Sequence, residues 1–438
     1  MSAPADTGAP PAARRPVPRE ACPSLVAPMA TGDGLIARLL PADGELTVAA
    51  LAAIAAAAAR CGNGVVEVTQ RGSLQVRGLS AATAADLEHA VHAAGASPPA
   101  GPPVHVGPLA GHDPAEIADP RPLAAMLRMR LAAAVTAASP AKLAIVVDGG
   151  GDLGLDGLAA DLRLVAVRTD GATAWRLETD DGPISPPLAT AEAVAAAGDF
   201  VAGLDRSRRR RPRPRVPVAP VGVLLPVGWG GDAIAVGVVV PYGFTDAGLL
   251  SALATAAGQA GAETVRLAPG HGLVFVGTGA GMARDSRDGA GASGRSVSGG
   301  VTDASSPAGD RAPQSCGFSP AVLLAAAANL GFIARRNDPR LALSVCAGAP
   351  VCGSGEAPTR PLADAVVAAA APLIAAGGSV HLTGCAKGCA RAAPADLTIV
   401  GRAGGYGLVR DGRAGDVPVE VVARDALLAA VALVRGDG

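Results

Sequence analysis

The chain has 438 residues, a formal net charge of −1 and a sequence pI of about 6.6. That is enough chain for two or three domains with a sizeable core, and it gives no global field for nucleic acid or anionic lipid. Half of the residues are hydrophobic, but the longest apolar run, residues 48–59, is too short to span a bilayer, and MSAPADTGAPPAARR lacks the apolar segment of a secretory signal. The expectation is a cytoplasmic protein with no membrane or nucleic-acid partner.

The first 20 residues are rich in Pro, Ala and Arg and read as a disordered tail. ACPSLVAPMATGDGLIARLLPADGELT reads as strands broken by a glycine turn. Residues 46–61 follow as a helix, then VVEVTQRGSLQVRGL as two period-two strands around a turn, then a helix over 82–94. PVHVGPLAGHDPAEIADPRPLAAML is a loop running into a helix. KLAIVVDGGGDLG is a strand ending in a glycine turn, followed by alternating strands and a helix over 189–202. Residues 206–217, RSRRRRPRPRVP, are basic and Pro-rich; without interleaved aromatics they read as a solvated connector.

The stretch VVVPYGFTDAGLLSALATAAGQAGAETVRLAPGHGLVFVG repeats the strand, helix, strand, turn, strand order of the first module. Residues 67–78 align with 266–277, sharing Leu74 with Leu273 and Gly78 with Gly277. Residues 279–315 form a Gly/Ser/Asp-rich linker, and a last lobe begins near Phe318.

GGGDLG at 149–154 fits G-x-G-x-x-G after a strand. A dinucleotide site needs a helix to open there at once. The strand LRLVAVR begins within about ten residues instead, so the motif reads as a hairpin turn.

Four of the seven cysteines gather late in the chain. Cys346 and Cys352 frame five residues of a Gly/Pro loop. An Ala-rich helix over 361–376 and the strand SVHLTG follow, and then Cys385 and Cys389, which frame three residues. Two pairs joined by a helix and a strand can surround one inorganic centre. Four thiolates suit a [4Fe–4S] cluster. Zinc is the alternative, although its pairs usually enclose two to four residues, and inert core cysteines are the other. Cys22, Cys61 and Cys316 stand alone and read as structural.

C-x5-C followed by C-x3-C, the second pair inside TGCAKGCA, resembles the cluster motif of the sirohaem sulfite and nitrite reductases. The resemblance extends over most of the chain. It implies an α+β fold with two ferredoxin-like half-domains (21–95 and 218–278) and two α/β lobes of iron–sulfur, sirohaem-reductase type (100–205 and 316–438), related by a pseudo-twofold. It further implies that Cys346, Cys352, Cys385 and Cys389 hold the [4Fe–4S] cluster, with Cys389 in the position of the ligand that bridges to sirohaem.

On spacing alone Arg38, Arg71 and Arg77 are either solvated or part of a carboxylate pocket; a planar guanidinium binds carboxylates in pairs. The resemblance favours the pocket, because the matching stretches of the reductases supply arginines to the macrocycle carboxylates. Of 37 basic residues only Lys142 and Lys387 are lysines. Both fall in family-like stretches, where they imply a role for a compact ammonium at the macrocycle. His105, His112, His271 and His381 are candidates for a mononuclear iron or for structural hydrogen bonds, and His89 and His92 for a solvated helix face.

Within the family, the resemblance points to the branch that acts on precorrin-3A in aerobic cobalamin synthesis. It implies a monooxygenase using O2 and NADH-derived electrons delivered through a separate reductase. The alternatives are a sirohaem-dependent sulfite or nitrite reductase and a non-catalytic tetrapyrrole carrier. Where the sulfite reductases carry a second lysine and an Arg-Asn pair, this chain has Ala144 and Pro102-Pro103.

Overall fold

A computed structural model describes residues 23–99, 101–134, 143–204, 224–227, 233–278 and 317–435. The tail over 1–20, the connectors over 206–217 and 279–315, Cys22, Cys316 and Lys142 lie outside the described residues.

The first module runs β1 (Met29–Thr31), β2 (Gly34–Leu39), β3 (Glu45–Thr47), α1 (Val48–Cys61), β4 (Val65–Val68), β5 (Leu74–Leu79) and α2 (Ala81–Ala93). The first lobe runs β6 (Val104–Val106), α3 (Arg121–Ala134), β7 (Ile145–Asp148), β8 (Leu162–Thr169), β9 (Ala172–Thr179), β10 (Gly182–Pro183) and α4 (Thr190–Ala202). The second module runs β11 (Leu224–Val227), β12 (Ala233–Val239), β13 (Phe244–Asp246), α5 (Ala247–Gln259), β14 (Thr264–Ala268), β15 (Gly272–Thr278) and α6 (Pro320–Asn329). The last lobe runs β16 (Leu343–Val345), α7 (Ala363–Ala369), α8 (Ala371–Ala375), β17 (Val380–Thr383), β18 (Ala395–Arg402), β19 (Gly405–Gly412), β20 (Glu420–Ala423) and α9 (Leu427–Ala432).

The repeat read from the sequence holds in register. One offset of 199 residues carries Thr47 to Asp246, Glu67 to Arg266 and Leu74 to Leu273. Thr47 caps α1 by accepting from Ala50 N, and Asp246 caps α5 by accepting from Gly248 N and Leu249 N. Glu67 lies opposite Gln75 as Arg266 lies opposite Val274. The two modules also exchange a strand. The first sheet has the order β1-β2-β5-β4-β13, and the second β11-β12-β15-β14-β3. The predicted helix over 46–61 therefore starts at Val48, because residues before it serve the other module's sheet edge. Leu51, Ile54 and Ala58 of α1 meet Leu250, Leu253 and Ala257 of α5 in one core. Alanine at the seam lets the helices approach closely.

The two lobes share one plan. Their sheets are ordered β6-β7-β8-β9-β10 and β16-β17-β18-β19-β20. In each, the first three strands are parallel and the fourth turns antiparallel. This is the α+β fold with a pseudo-twofold that the resemblance implied.

Two local readings are corrected. The GGGDLG segment is not a hairpin turn, because β7 and β8 are parallel. The connection is an open crossover whose backbone is held by side chains. Asp148 accepts from Gly150 N at 2.9 Å and Leu155 N at 3.2 Å, Arg163 donates to Leu155 O at 2.9 Å, and Leu155 and Leu158 are buried. Burial of two leucines and an arginine replaces the crossover helix that the short spacing excluded. The helix over 361–376 is also broken, into α7 and α8 at Ala370. Pro372 lacks an amide hydrogen and opens a new helix more readily than it continues one.

Candidate active site

β16 and β17 lie parallel, with Val345 opposite Leu382. Their C-terminal ends open side by side, where the loops of a parallel sheet converge. The loop after β16 carries Cys346 and Cys352, and the loop after β17 carries Cys385 and Cys389. Cys346 N donates to Leu382 O at 3.2 Å, and Gly384 N donates to the Cys346 Sγ at 3.1 Å. Cys352 N donates to Gly348 O at 2.7 Å. Lys387 Nζ donates to Ser354 Oγ at 3.1 Å and ties the two loops together.

Their approach depends on glycine. A Cβ at Gly384 would sit 2.8 Å from the Gly348 Cα. At Gly348, where φ is +62°, it would sit 2.3 Å from Thr359 Oγ1. That hydroxyl donates to Cys346 O at 2.7 Å.

All four thiols line one cavity of about 1420 Å³. Burial pushes the Cys385 thiol up; a hydrogen bond from the Lys387 backbone N–H opposes it, and Cys346 and Cys352 add to the rise. Burial likewise raises Cys389, followed by Cys385, Cys346 and Cys352. Among the described residues, no three His, Cys, Asp or Glu side chains gather at single-ion spacing. A single zinc at about 2.3 Å from each sulfur would draw thiolates to within about 4 Å of one another. Four cysteines on two adjoining loops of one cavity are the usual donor set of a polynuclear cluster, so this donor set fits [4Fe–4S].

The opposite wall is the polar face of the first sheet. Arg38 on β2 and Glu67 on β4 flank Gln75 on β5. Arg38 donates through Nε and Nη2 to Gln75 Oε1 at 2.9 and 2.7 Å, and Gln75 Nε2 donates to Glu67 Oε2 at 2.6 Å. Arg71, on the turn between β4 and β5, donates to Ala159 O of the first lobe at 2.9 Å.

Arg77 also lines the cavity and carries ion pairs of its own. Its side chain is 5% exposed and held by Asp33 at 2.7 Å and Glu67 at 3.3 Å. It also reaches Val351 O, inside the first cysteine loop, at 3.4 Å. The Arg77 charge is already balanced within the wall. Arg38, Arg71 and Lys387 line the same cavity.

The histidines disperse. His105 and His271 line the cavity, and His271 Nδ1 bonds to Val68 O at 2.6 Å. His381 is fully buried in β17. His112 is half-buried with its pKa lowered, by burial first and then by Arg266 and Arg121. His89 and His92 are exposed on α2.

Sequence reasoning passed over Glu67, Gln75, Arg128 and Arg360, all of which line the cavity. Strand alternation did carry a signal, since Glu67, Gln75 and Arg77 share the face opposite Val66, Leu74 and Val76. In a one-sided sheet that face is solvated; here the lobes cover it.

Pro102, Pro103, Leu143, Ala144 and Leu158 form an apolar stretch of the lining, beside His105 and Arg128. Pro102, Pro103 and Ala144 are thus part of the cavity lining and supply no charge to it.

The family model of the nitrite/sulfite reductase ferredoxin-like half domain matches residues 27–94. A precorrin-3B synthase from Sinorhizobium sp is 36% identical over 424 residues, covering 91% of this chain and 84% of that protein. The chain belongs to the precorrin-3B synthase family. The solved structure of the Mycobacterium tuberculosis NirA protein matches with a TM-score of 0.66 over 92% of this chain and 82% of that one. At 17% identity that match shows the fold. For this member of the precorrin-3B synthase family, the matched half domain contributes Arg38, Glu67, Arg71 and Gln75 to the cavity wall.

Proposed function

We propose that the protein is a precorrin-3B synthase of cobalamin biosynthesis, a monooxygenase that acts on precorrin-3A. One atom of O2 is retained as the C20 hydroxyl and the other leaves as water, with two electrons from NADH arriving through a separate reductase. The ring A acetate oxygen adds to the carbon next to C20, so that the double bond between the two carbons is consumed as one takes the hydroxyl and the other the γ-lactone oxygen. The observation that carries this reading is the single cavity in which four thiols face a wall of arginines. At about 1420 Å³ it exceeds the roughly 300–1,000 Å³ of an ordinary small-molecule site and suits a macrocycle.

Cys346, Cys352, Cys385 and Cys389 would hold the [4Fe–4S] cluster, which supplies single-electron transfer that side chains do not. Arg38 and Arg71 would bind substrate carboxylates through paired hydrogen bonds, with Lys142 a further candidate. The Lys387 ammonium would add positive charge at the junction of cluster and substrate. The apolar wall around Pro102, Pro103 and Ala144 would pack the ring and exclude water. That wall also favours a macrocycle substrate over a small dianion, which needs cations grouped around it.

The visible spectrum of anaerobically purified protein tests the reading. A broad brown absorbance that bleaches with dithionite, together with O2-dependent conversion of precorrin-3A, is the expected result. Sharp Soret and red bands from a retained macrocycle would instead support a sirohaem-dependent reductase. Cys389→Ser is expected to lose synthase activity entirely and to lower iron and sulfide per chain; full activity would remove the cluster from the reaction.

A further inference from the structure

The polar wall converges on one carboxylate. Glu67 Oε2 accepts from Gln75 Nε2 at 2.6 Å. Glu67 Oε1 accepts from Arg77 at 3.3 Å and also from Arg360, whose guanidinium lies 4.2 Å over the Phe244 ring. Arg360 comes from the cluster lobe and Arg77 reaches that lobe's first cysteine loop at Val351 O. The two oxygens of Glu67 therefore serve different parts of the site. One faces the arm that ends at Arg38, and the other faces the cluster lobe.

The Gln75 amide makes the first arm directional. Because its NH2 is given to a carboxylate, its oxygen must point the other way, toward Arg38. There it accepts from Nε and Nη2 at 2.9 and 2.7 Å. An amide turned over would present N–H to N–H and release Arg38. Gln75 is 7% exposed and the Glu67 side chain 13%, so water competes little for these bonds.

The second module shows what the same position does without a cavity. There the equivalents of Arg38, Glu67, Gln75 and Arg77 are Gly237, Arg266, Val274 and Val276. Val274 and Val276 pack against Leu109 in an apolar cluster. The acid occurs only where the sheet faces the cavity.

We propose that Glu67 is a positioning residue that, through Gln75, aims Arg38 at a carboxylate of the tetrapyrrole and couples that arginine to the cluster lobe. This rests on the macrocycle reading above. Glu67 touches no reacting atom. Its work is to fix the amide that fixes the guanidinium, while Arg77 and Arg360 hold its other oxygen in place.

The test is a double-mutant cycle read by binding, with the holoprotein and uroporphyrin, a stable porphyrin with eight carboxylates, followed by fluorescence quenching. Loss of a charge-assisted hydrogen bond predicts about a tenfold weaker Kd for Arg38→Gln. Glu67→Gln is expected to weaken binding by a similar factor. Because both changes act through one arm, the double variant is expected to bind no worse than Arg38→Gln alone. Independent, multiplying losses would overturn the proposal, as would unchanged binding by Glu67→Gln. Gln75→Met keeps the volume and cuts only the Arg38 arm, so it carries the test if Glu67→Gln does not fold. It must reproduce the loss and the non-additivity, and unchanged binding by Gln75→Met overturns the proposal. Absence of uroporphyrin binding by the unaltered protein would overturn the macrocycle reading itself, and this inference with it.

Discussion

Glu116 shows how one side chain can set a pH response away from the cavity. Burial pushes its carboxyl up to about 7; the Gly111 amide, at 2.8 Å, opposes the shift, and Asp119 and Asp113 add to it. The folded protein therefore keeps this proton over a range in which the unfolded chain, near the ordinary value of 4.5, has released it. A native state that binds more protons loses stability as pH rises. Urea unfolding is thus expected to show falling stability between about pH 5 and 7, and Glu116→Gln to flatten that slope. A slope unchanged in Glu116→Gln would place the titration elsewhere. No spacing in DPAEIADP announces this; the shift arises from what the folded loop packs around the acid. The same holds for Glu67, a polar residue at an alternating strand position that looks solvent-facing until the lobes close over it.

At the scale of elements, the sequence spoke clearly where chemistry is local. The period-two strands around the 69–73 turn and the repeat of the first module in the second were legible from neighbouring residues, whereas the caps Thr47 and Asp246 emerged only in the structure. What stayed hidden was partner choice. Nothing in ELT or FTD says that these strands join the opposite module's sheet, because a ladder hydrogen bond is made by backbone common to all residues. For the same reason the crossover from β7 to β8 was mistaken for a hairpin.

The cysteine loops offer a sharp test of how element geometry serves the site. Gly348 has φ +62°, and a Cβ there would meet Thr359 Oγ1 at 2.3 Å and Thr359 N at 2.8 Å. Gly348→Ala should cost about 1–3 kcal/mol from strain and overpacking and displace the loop that presents Cys346 and Cys352. Iron and sulfide per chain are expected to fall several-fold, with a lower unfolding midpoint. Gly353 lies in the same loop with nothing within 4 Å of its Cβ position, so Gly353→Ala should load normally. Equal loading of the two variants would show that the loop tolerates the shift.

Across the described residues, the pseudo-twofold relates two modules and two lobes, yet the two equivalent sheet faces differ, one open to the cavity and the other packed. On the open side, Arg38, Gln75 and Arg77 stand over about 1420 Å³. On the closed side, Val274 and Val276 pack with Leu109, Ala235 and Ala268, and Leu153 packs against that cluster. Arg266, fully buried, donates to Ala110 O at 2.8 Å and pairs with Glu45 of the exchanged strand. The closed side thus holds modules and first lobe together, with Arg266 fully buried against the apolar cluster and Glu45 at its solvent edge, 35% exposed. Arg266→Met removes the bond to Ala110 O and leaves Glu45 partly solvated, so it should destabilise the fold by about 1–3 kcal/mol without touching the cavity wall. The asymmetry also fixes the stoichiometry. Titration of the unaltered holoprotein with uroporphyrin should saturate at one macrocycle per chain, because opening the second face would expose the leucine and valine cluster and strand Arg266. Saturation at two per chain would mean that the closed face yields to a ligand, and that the halves are far more alike in function than their side chains make them.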